Sequence, residues 1–203
     1  MAKRAGFLII ALFLLTDIGL AQFSHYDVGV TVGPVLSKQS SGNGTVLTPT
    51  NSGVLVATGR VRFSEKFSIA ANFGRTKNSQ LYLLSPNQYR IQGSVTELGG
   101  AVVFSFLQTK KLEGFALGGM SALVFTPKTT VINGVASSLP AVRQTEPAPV
   151  YGLGADYHVY HRFAVRLQYR GLFYKAPDFN LQNFFTGAYG HMAEATAGLV
   201  FKF

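Results

Sequence analysis

Cysteine is absent from this chain of 203 residues. No disulfide framework and no thiolate metal centre can form without it, and no cysteine is available to carry a lipid anchor. Charge is nearly as scarce: Asp, Glu, Lys and Arg make up 13% of the residues, against about 25% in ordinary soluble domains. Paired carboxylates, a phosphate-cradling glycine loop and a cluster of metal-ligand residues are all missing from the pattern. The sequence therefore assigns no catalytic residue, no cofactor and no metal. Long apolar runs are also missing beyond residue 15. Hydrophobic residues reach 47%, yet mean hydropathy is only +0.22, because apolar and polar residues are interleaved.

The one apolar run stands at the start. Lys3 and Arg4 precede an apolar stretch over residues 6–15, and Gly19, Leu20 and Ala21 follow it. This is the order of a secretory signal: positive, apolar, then small residues where a peptidase cuts. Asp17 ends the run well short of the ~20 residues that a helix needs to cross a bilayer. Residues 1–21 are read as a signal peptide for the Sec pathway, cleaved before Gln22, and residues 22–203 as one domain. A chain exported to an oxidising compartment also gains from having no free thiols.

What fills the mature chain is alternation with a period of two, the signature of strands that are apolar on one face. Eight such segments cover residues 26–34, 54–63, 67–75, 95–106, 115–125, 150–159, 163–173 and 191–203. The last sets Ala193, Ala195, Ala197, Leu199, Phe201 and Phe203 against Glu194, Thr196, Gly198, Val200 and Lys202. In the fifth, Phe115, Leu117, Leu123 and Phe125 share the apolar face. Connections over 64–66, 107–114 and 160–162 are short. Those over 35–53, 76–94, 126–149 and 174–190 are long and rich in Ser, Thr, Asn, Gly and Pro. Short and long connections alternate strictly, as periplasmic turns and surface loops do in membrane barrels. Aromatics cluster at the ends of the apolar faces: Phe63, Phe67, Phe106, Phe115, Tyr157, Phe163 and Phe203 toward the short turns, Phe73, Phe125, Tyr151 and Phe173 toward the long loops. Such clusters form girdles at the two membrane interfaces. The fold class is all-β: an eight-stranded, antiparallel, up-and-down transmembrane β-barrel with four long surface loops.

An eight-stranded barrel is only wide enough for its own side chains, so inward charges must be paired. The inward faces carry Arg60, Arg62, Arg166, Arg170 and Lys202 against Asp27, Glu97, Asp156 and Glu194. Across the tight turn Asp156 is expected opposite Arg166, and Arg170 beside Glu194. Asp27 is expected to meet Arg62 or Lys202, with Glu97 near Arg60. A closed polar lumen follows. The long loops hold Lys38, Arg75, Lys77, Arg90, Lys128, Arg143 and Lys175, offset by Glu146 and Asp178. Such loops suit anionic headgroups. A sequence pI near 9.9 points generically to nucleic acid, but export excludes that partner. His25, His158 and His161 fall away from the long-loop side, and His191 has no serine placed beside it. Ser121 is read as outward and isolated. Enzymatic activity is not expected.

The whole of residues 22–203 resembles the eight-stranded outer-membrane β-barrel superfamily that includes the OmpA transmembrane domain and OmpX. Residues 152–170 (GLGADYHVYHRFAVRLQYR) are the most specific stretch, similar to the hairpin of the sixth and seventh strands in that group. The resemblance implies a bacterial outer-membrane location, and a monomer is expected. It also implies that Leu199, Phe201 and Phe203 are read by the barrel-assembly machinery, with periplasmic chaperones acting in biogenesis. The expected partners in the membrane are its lipids, lipopolysaccharide phosphates among them. The expected role is non-enzymatic, in envelope integrity or loop-mediated binding. A narrow solute channel, a lipid A-modifying barrel enzyme and a soluble periplasmic ligand-binding barrel are the alternatives.

Overall fold

The computed structural model describes residues 25–203. The expected signal peptide, residues 1–21, and its expected cleavage point lie outside the described residues. Eight long strands form the wall: β1 (His25–Ser37), β2 (Ser52–Arg62), β3 (Phe67–Leu84), β4 (Asn87–Gln108), β5 (Leu112–Ile132), β6 (Gln144–Tyr160), β7 (Phe163–Lys175) and β8 (Tyr189–Lys202). Each pairs antiparallel with its chain neighbours, and β1 pairs with β8, from Asp27 opposite Lys202 to Ser37 opposite Met192. The sheet closes on itself and leaves no edge in its lower part. No helix of the described residues is long and apolar enough to cross a membrane.

Alternation sets the radial order. On β1, Val28, Val30 and Val32 are exposed while Asp27 and Thr31 are buried. On β7, Val165, Leu167 and Tyr169 face outward while Arg166, Gln168 and Arg170 are buried. Apolar outside and charged inside is the reverse of a soluble ligand-binding barrel, so that alternative is set aside.

The strand β5 departs from expectation. Phe115, Leu123 and Phe125 are at most 2% exposed; with Leu117 they belong to the inner packing. Phe115 and Phe125 thus leave the girdles. The physical reason is that β5 is apolar on both faces, since Ala116, Gly118, Met120, Ala122 and Val124 form the other one. Its phase is set by Glu113 and Ser121, which share parity with Phe115 and are both buried. Ser121 therefore faces the lumen, not the lipid.

The long connections are also more ordered than their composition suggests. Strands β3 and β4 continue far past the expected loop over 76–94, in unbroken register up to Leu84 opposite Asn87. They are 18 and 22 residues long, whereas about 9–11 cross a bilayer. Above the membrane an outward face need not be apolar, so the period-two contrast fades although the strand goes on. Two short strands, Ser40–Gly42 and Thr45–Pro49, form a hairpin that adds to upper β3. A third, Val135–Ser137, folds onto β5. The last long connection contains a 3-10 turn over Gln182–Phe184.

The interior has two storeys, which corrects the expectation of a lumen polar throughout. The upper storey is an apolar core of Val35, Leu47, Val54, Ile91, Leu172 and Met192 together with Tyr82, Phe125 and Tyr174. The connection between β7 and β8 lies over it as a cap and inserts Phe179 and Phe184. The Phe184 ring stacks on Tyr82 at 4.4 Å, and the Tyr82 hydroxyl donates to the Pro177 carbonyl at 2.6 Å. The Gln144 side-chain carbonyl accepts from the backbone N–H groups of Asp178 and Phe179. Phe179 and Asn180 carry φ of 52° and 62°, a sharp reversal that aims the Phe179 ring down into the core.

Candidate functional site

Below the apolar core, charged side chains from seven of the eight strands meet on the barrel axis in two groups. The lower group is built from β1, β2, β5, β6, β7 and β8. Arg60 Nε donates to Asp27 at 2.6 Å and its Nη2 to Asp156 at 2.9 Å. Arg166 clasps both oxygens of Asp156, through Nε at 2.7 Å and Nη2 at 2.8 Å. It also reaches Asp27 at 3.4 Å. Strand register brings Arg166 and Asp156 directly opposite each other, as the hairpin spacing predicts. The ring of Phe115 lies beside this cluster, with the guanidinium carbons of Arg60 and Arg166 at 5.4 and 5.2 Å from its centroid. A Cβ at position 154 would run into that ring, so Gly154 makes the room in which two cations meet an aromatic face.

Nearer the short turns, Glu113 gathers three cations: Arg62, Lys202 at 3.0 Å, and Arg60 at 3.4 Å. Ser105 donates to the same carboxylate at 2.8 Å. Asp27 does not meet Arg62 or Lys202, because both turn to Glu113 instead. Sequence reading places Glu113 in a solvated turn beside Lys110 and Lys111, whereas β5 begins at Leu112. The detectable signal was its shared parity with Ser121.

The upper charged group is a triad. Arg170 sits between Glu97 and Glu194, at 2.5 Å to one carboxylate and 2.6 Å to the other. Arg170 and Glu194 are direct cross-strand partners. Ser121 donates to Glu97 at 2.8 Å. Glu97 therefore belongs with Arg170 and not with Arg60. Five cations (Arg60, Arg62, Arg166, Arg170 and Lys202) face five carboxylates (Asp27, Glu97, Glu113, Asp156 and Glu194), so the interior is neutral once Glu113 is included. Every charge is paired at short range, the condition under which burial in a low-dielectric interior is tolerable.

The other predicted residues lie on the outer wall or the rims. Leu199 and Phe203 are exposed, and Phe201 is half-buried against Phe163 at 5.1 Å. Lys38, Arg143 and Lys175 are exposed near the long-connection end, with Lys175 above the Phe185 ring. Arg75, Lys77, Arg90 and Lys128 are exposed as well, but they sit on the extended strands and not in loops. His191 stacks between Tyr151 and Phe173, and its Nε2 lies 3.1 Å from the Tyr151 hydroxyl. Among the described residues, no cluster of three or more His, Asp or Glu could hold a metal ion.

No family model matches this sequence, and no curated protein does. Solved structures do. The outer membrane protein OprG from Pseudomonas aeruginosa is similar with a TM-score of 0.59 at 10% identity, over 90% of this chain and 97% of that one. Neisserial surface protein A gives 0.56 at 15% identity, over 88% and 97%. Ail of Yersinia pestis gives 0.50 at 13% identity, over 88% and 99%. Closure of eight antiparallel strands, inverted polarity and these likenesses agree: the chain has the fold of the eight-stranded outer-membrane β-barrels.

Proposed function

We propose that this protein is an integral outer-membrane barrel whose role is structural and interactive, not enzymatic, and that its lumen does not conduct. The observation that carries the reading is the belt of exposed aliphatic side chains around a charged interior. Leu153, Leu167 and Leu199 are each about 60% exposed while Asp156 and Arg170 are fully buried. Side chains of that kind are stable outward only in hydrocarbon. Export through the Sec pathway by residues 1–21, and assembly guided by the final strand, belong to the same proposal. The stacked interior supports a closed barrel: the apolar core and its cap seal one half, and neutral ion-pair networks fill the other.

The non-enzymatic reading is supported by the surroundings of the histidines. The His191 ring bonds Tyr151, and the His158 ring approaches Lys202. Neither arrangement pairs a nucleophile with a base and a third group that orients it. Conductance across planar bilayers is the test. The purified barrel should give no steps above background, and neither should Phe184→Ala, because the charged storey remains closed below the loosened cap. Regular ion-conducting steps from the unaltered protein would instead establish the narrow-channel alternative.

A further inference from the structure

The outer wall is not uniform. From β8 across β1, β2 and β3 to β4 it sinks into an open apolar groove of about 900 Å³. Ala57, Gly59 and Ala71 form the floor, and the bulkier Val30, Phe73 and Leu98 stand around it. A Cβ at position 59 would meet nothing within 4 Å, so the depression is open to the outside at that point. Above it the same faces become basic. Arg75 follows Phe73 on the outward face of β3 and pairs in register with Leu55, and Lys77 comes next on that face. Lys128 is exposed two strands away on β5, beside the position where Gly93 opposes Pro127. None of these three cations takes part in an ion pair among the described residues.

The geometry points to a retained phosphorylated, acylated lipid, with its phosphate at Arg75 and Lys77 and one acyl chain lying in the groove. The inference rests on the membrane placement proposed above. Four residues separate Leu55, at the level of Arg75, from Gly59, which is about 13 Å along the strand. An outer-leaflet chain spans about half of the ~30 Å hydrocarbon core, so a chain hung from Arg75 reaches the groove floor. Arg presents a fork of donors matched to phosphate oxygens, and Lys adds a point charge. A second copy of the protein fits less well. A two-fold contact sets a patch against itself, which would place hollow against hollow and bring the unpaired cations face to face.

Native mass spectrometry of the detergent-extracted full-length protein tests this, with bisphosphorylated lipid A and the same lipid stripped of phosphate as probes. The unaltered barrel should retain one phosphorylated lipid. Retention should fall about tenfold, a loss of about 1.4 kcal/mol, when the phosphates are removed, in Arg75→Gln/Lys77→Gln, and in Gly59→Phe, which fills the hollow without touching the interior. Equal retention of both lipids, or retention unchanged by the two variants, would overturn the site. So would a dimer that cross-links through Gly59→Cys, the single cysteine in such a chain, and that Gly59→Phe abolishes. Gel mobility without boiling, taken on the same samples, separates the two levels of failure. A folded barrel that keeps no lipid contradicts this site alone, whereas protein that never enters a bilayer contradicts the membrane reading beneath it.

Discussion

At the scale of the residue, the interior is an exercise in charge neutralisation. Arg170 is fully buried between two carboxylates, and removing it strands both. Arg170→Met should destabilise the barrel by about 3–5 kcal/mol, the range for a buried pair that loses one partner. The midpoint of urea unfolding in detergent or lipid measures it. Adding Glu97→Gln and Glu194→Gln to Arg170→Met should recover most of the loss, since no charge is then left uncompensated. On the outside the argument reverses sign. Leu167 lies between the girdle aromatics Phe163 and Phe173 on one outward face, so Leu167→Arg places a charge near the middle of the belt. The expected cost there is about 2–4 kcal/mol, and an unchanged unfolding midpoint would mean that this face meets water. Single residues were legible where polar and apolar faces contrast. Asp156 with Arg166, and Arg170 with Glu194, follow from strand spacing alone. Glu113 was not legible, because two lysines before it make the segment look like a solvated turn. The Phe115 ring was misplaced because an aromatic that stacks on buried guanidinium groups looks, in sequence, like one that faces lipid.

At the scale of the element, the cap shows what polar composition hides. The connection between β7 and β8 contains Asn, Gln, Thr and Gly, yet its Phe179 and Phe184 close an apolar core. Period-two reasoning cannot detect this, because the segment is not a strand and its partners are distant in sequence. Gln144 ties the cap to β6, and its amide donates to Glu146 at 2.7 Å. Glu146 lies beyond the aromatic rim marked by Tyr151. Burial raises its pKa above the ordinary carboxylate value, and the bond from Gln144 offsets part of that rise. A carboxyl whose folded pKa is raised favours the folded state fully below the unfolded value, and that contribution is lost as pH rises through the folded value. The cap should therefore be tighter in mild acid than at neutral pH. Hydrogen exchange at the Asp178 and Phe179 amides, corrected for intrinsic rates, should slow on acidification. Glu146→Gln should abolish the difference; a pH dependence that survives that variant would place its source elsewhere.

At the scale of the whole molecule, strand number, antiparallel up-and-down order, the alternation of short and long connections and the inside-out polarity were all readable from periodicity. Lipid and lumen impose opposite demands on successive residues, and that contrast is written into the chain wherever the strand is in the membrane. It fades above the membrane, which is why β3 and β4 continue as strands through a region whose composition reads as loop. It fails again in β5, where both faces are apolar and only Glu113 and Ser121 keep the phase. The central claim is an inverted barrel closed by complete strand pairing and resident in a bilayer. The most direct test compares boiled and unboiled samples of the detergent-insoluble membrane fraction on one denaturing gel. A closed barrel should stay folded in the unboiled lane and migrate faster than its boiled form. Recovery of the protein in the soluble periplasmic fraction, with the same mobility in both lanes, would contradict it.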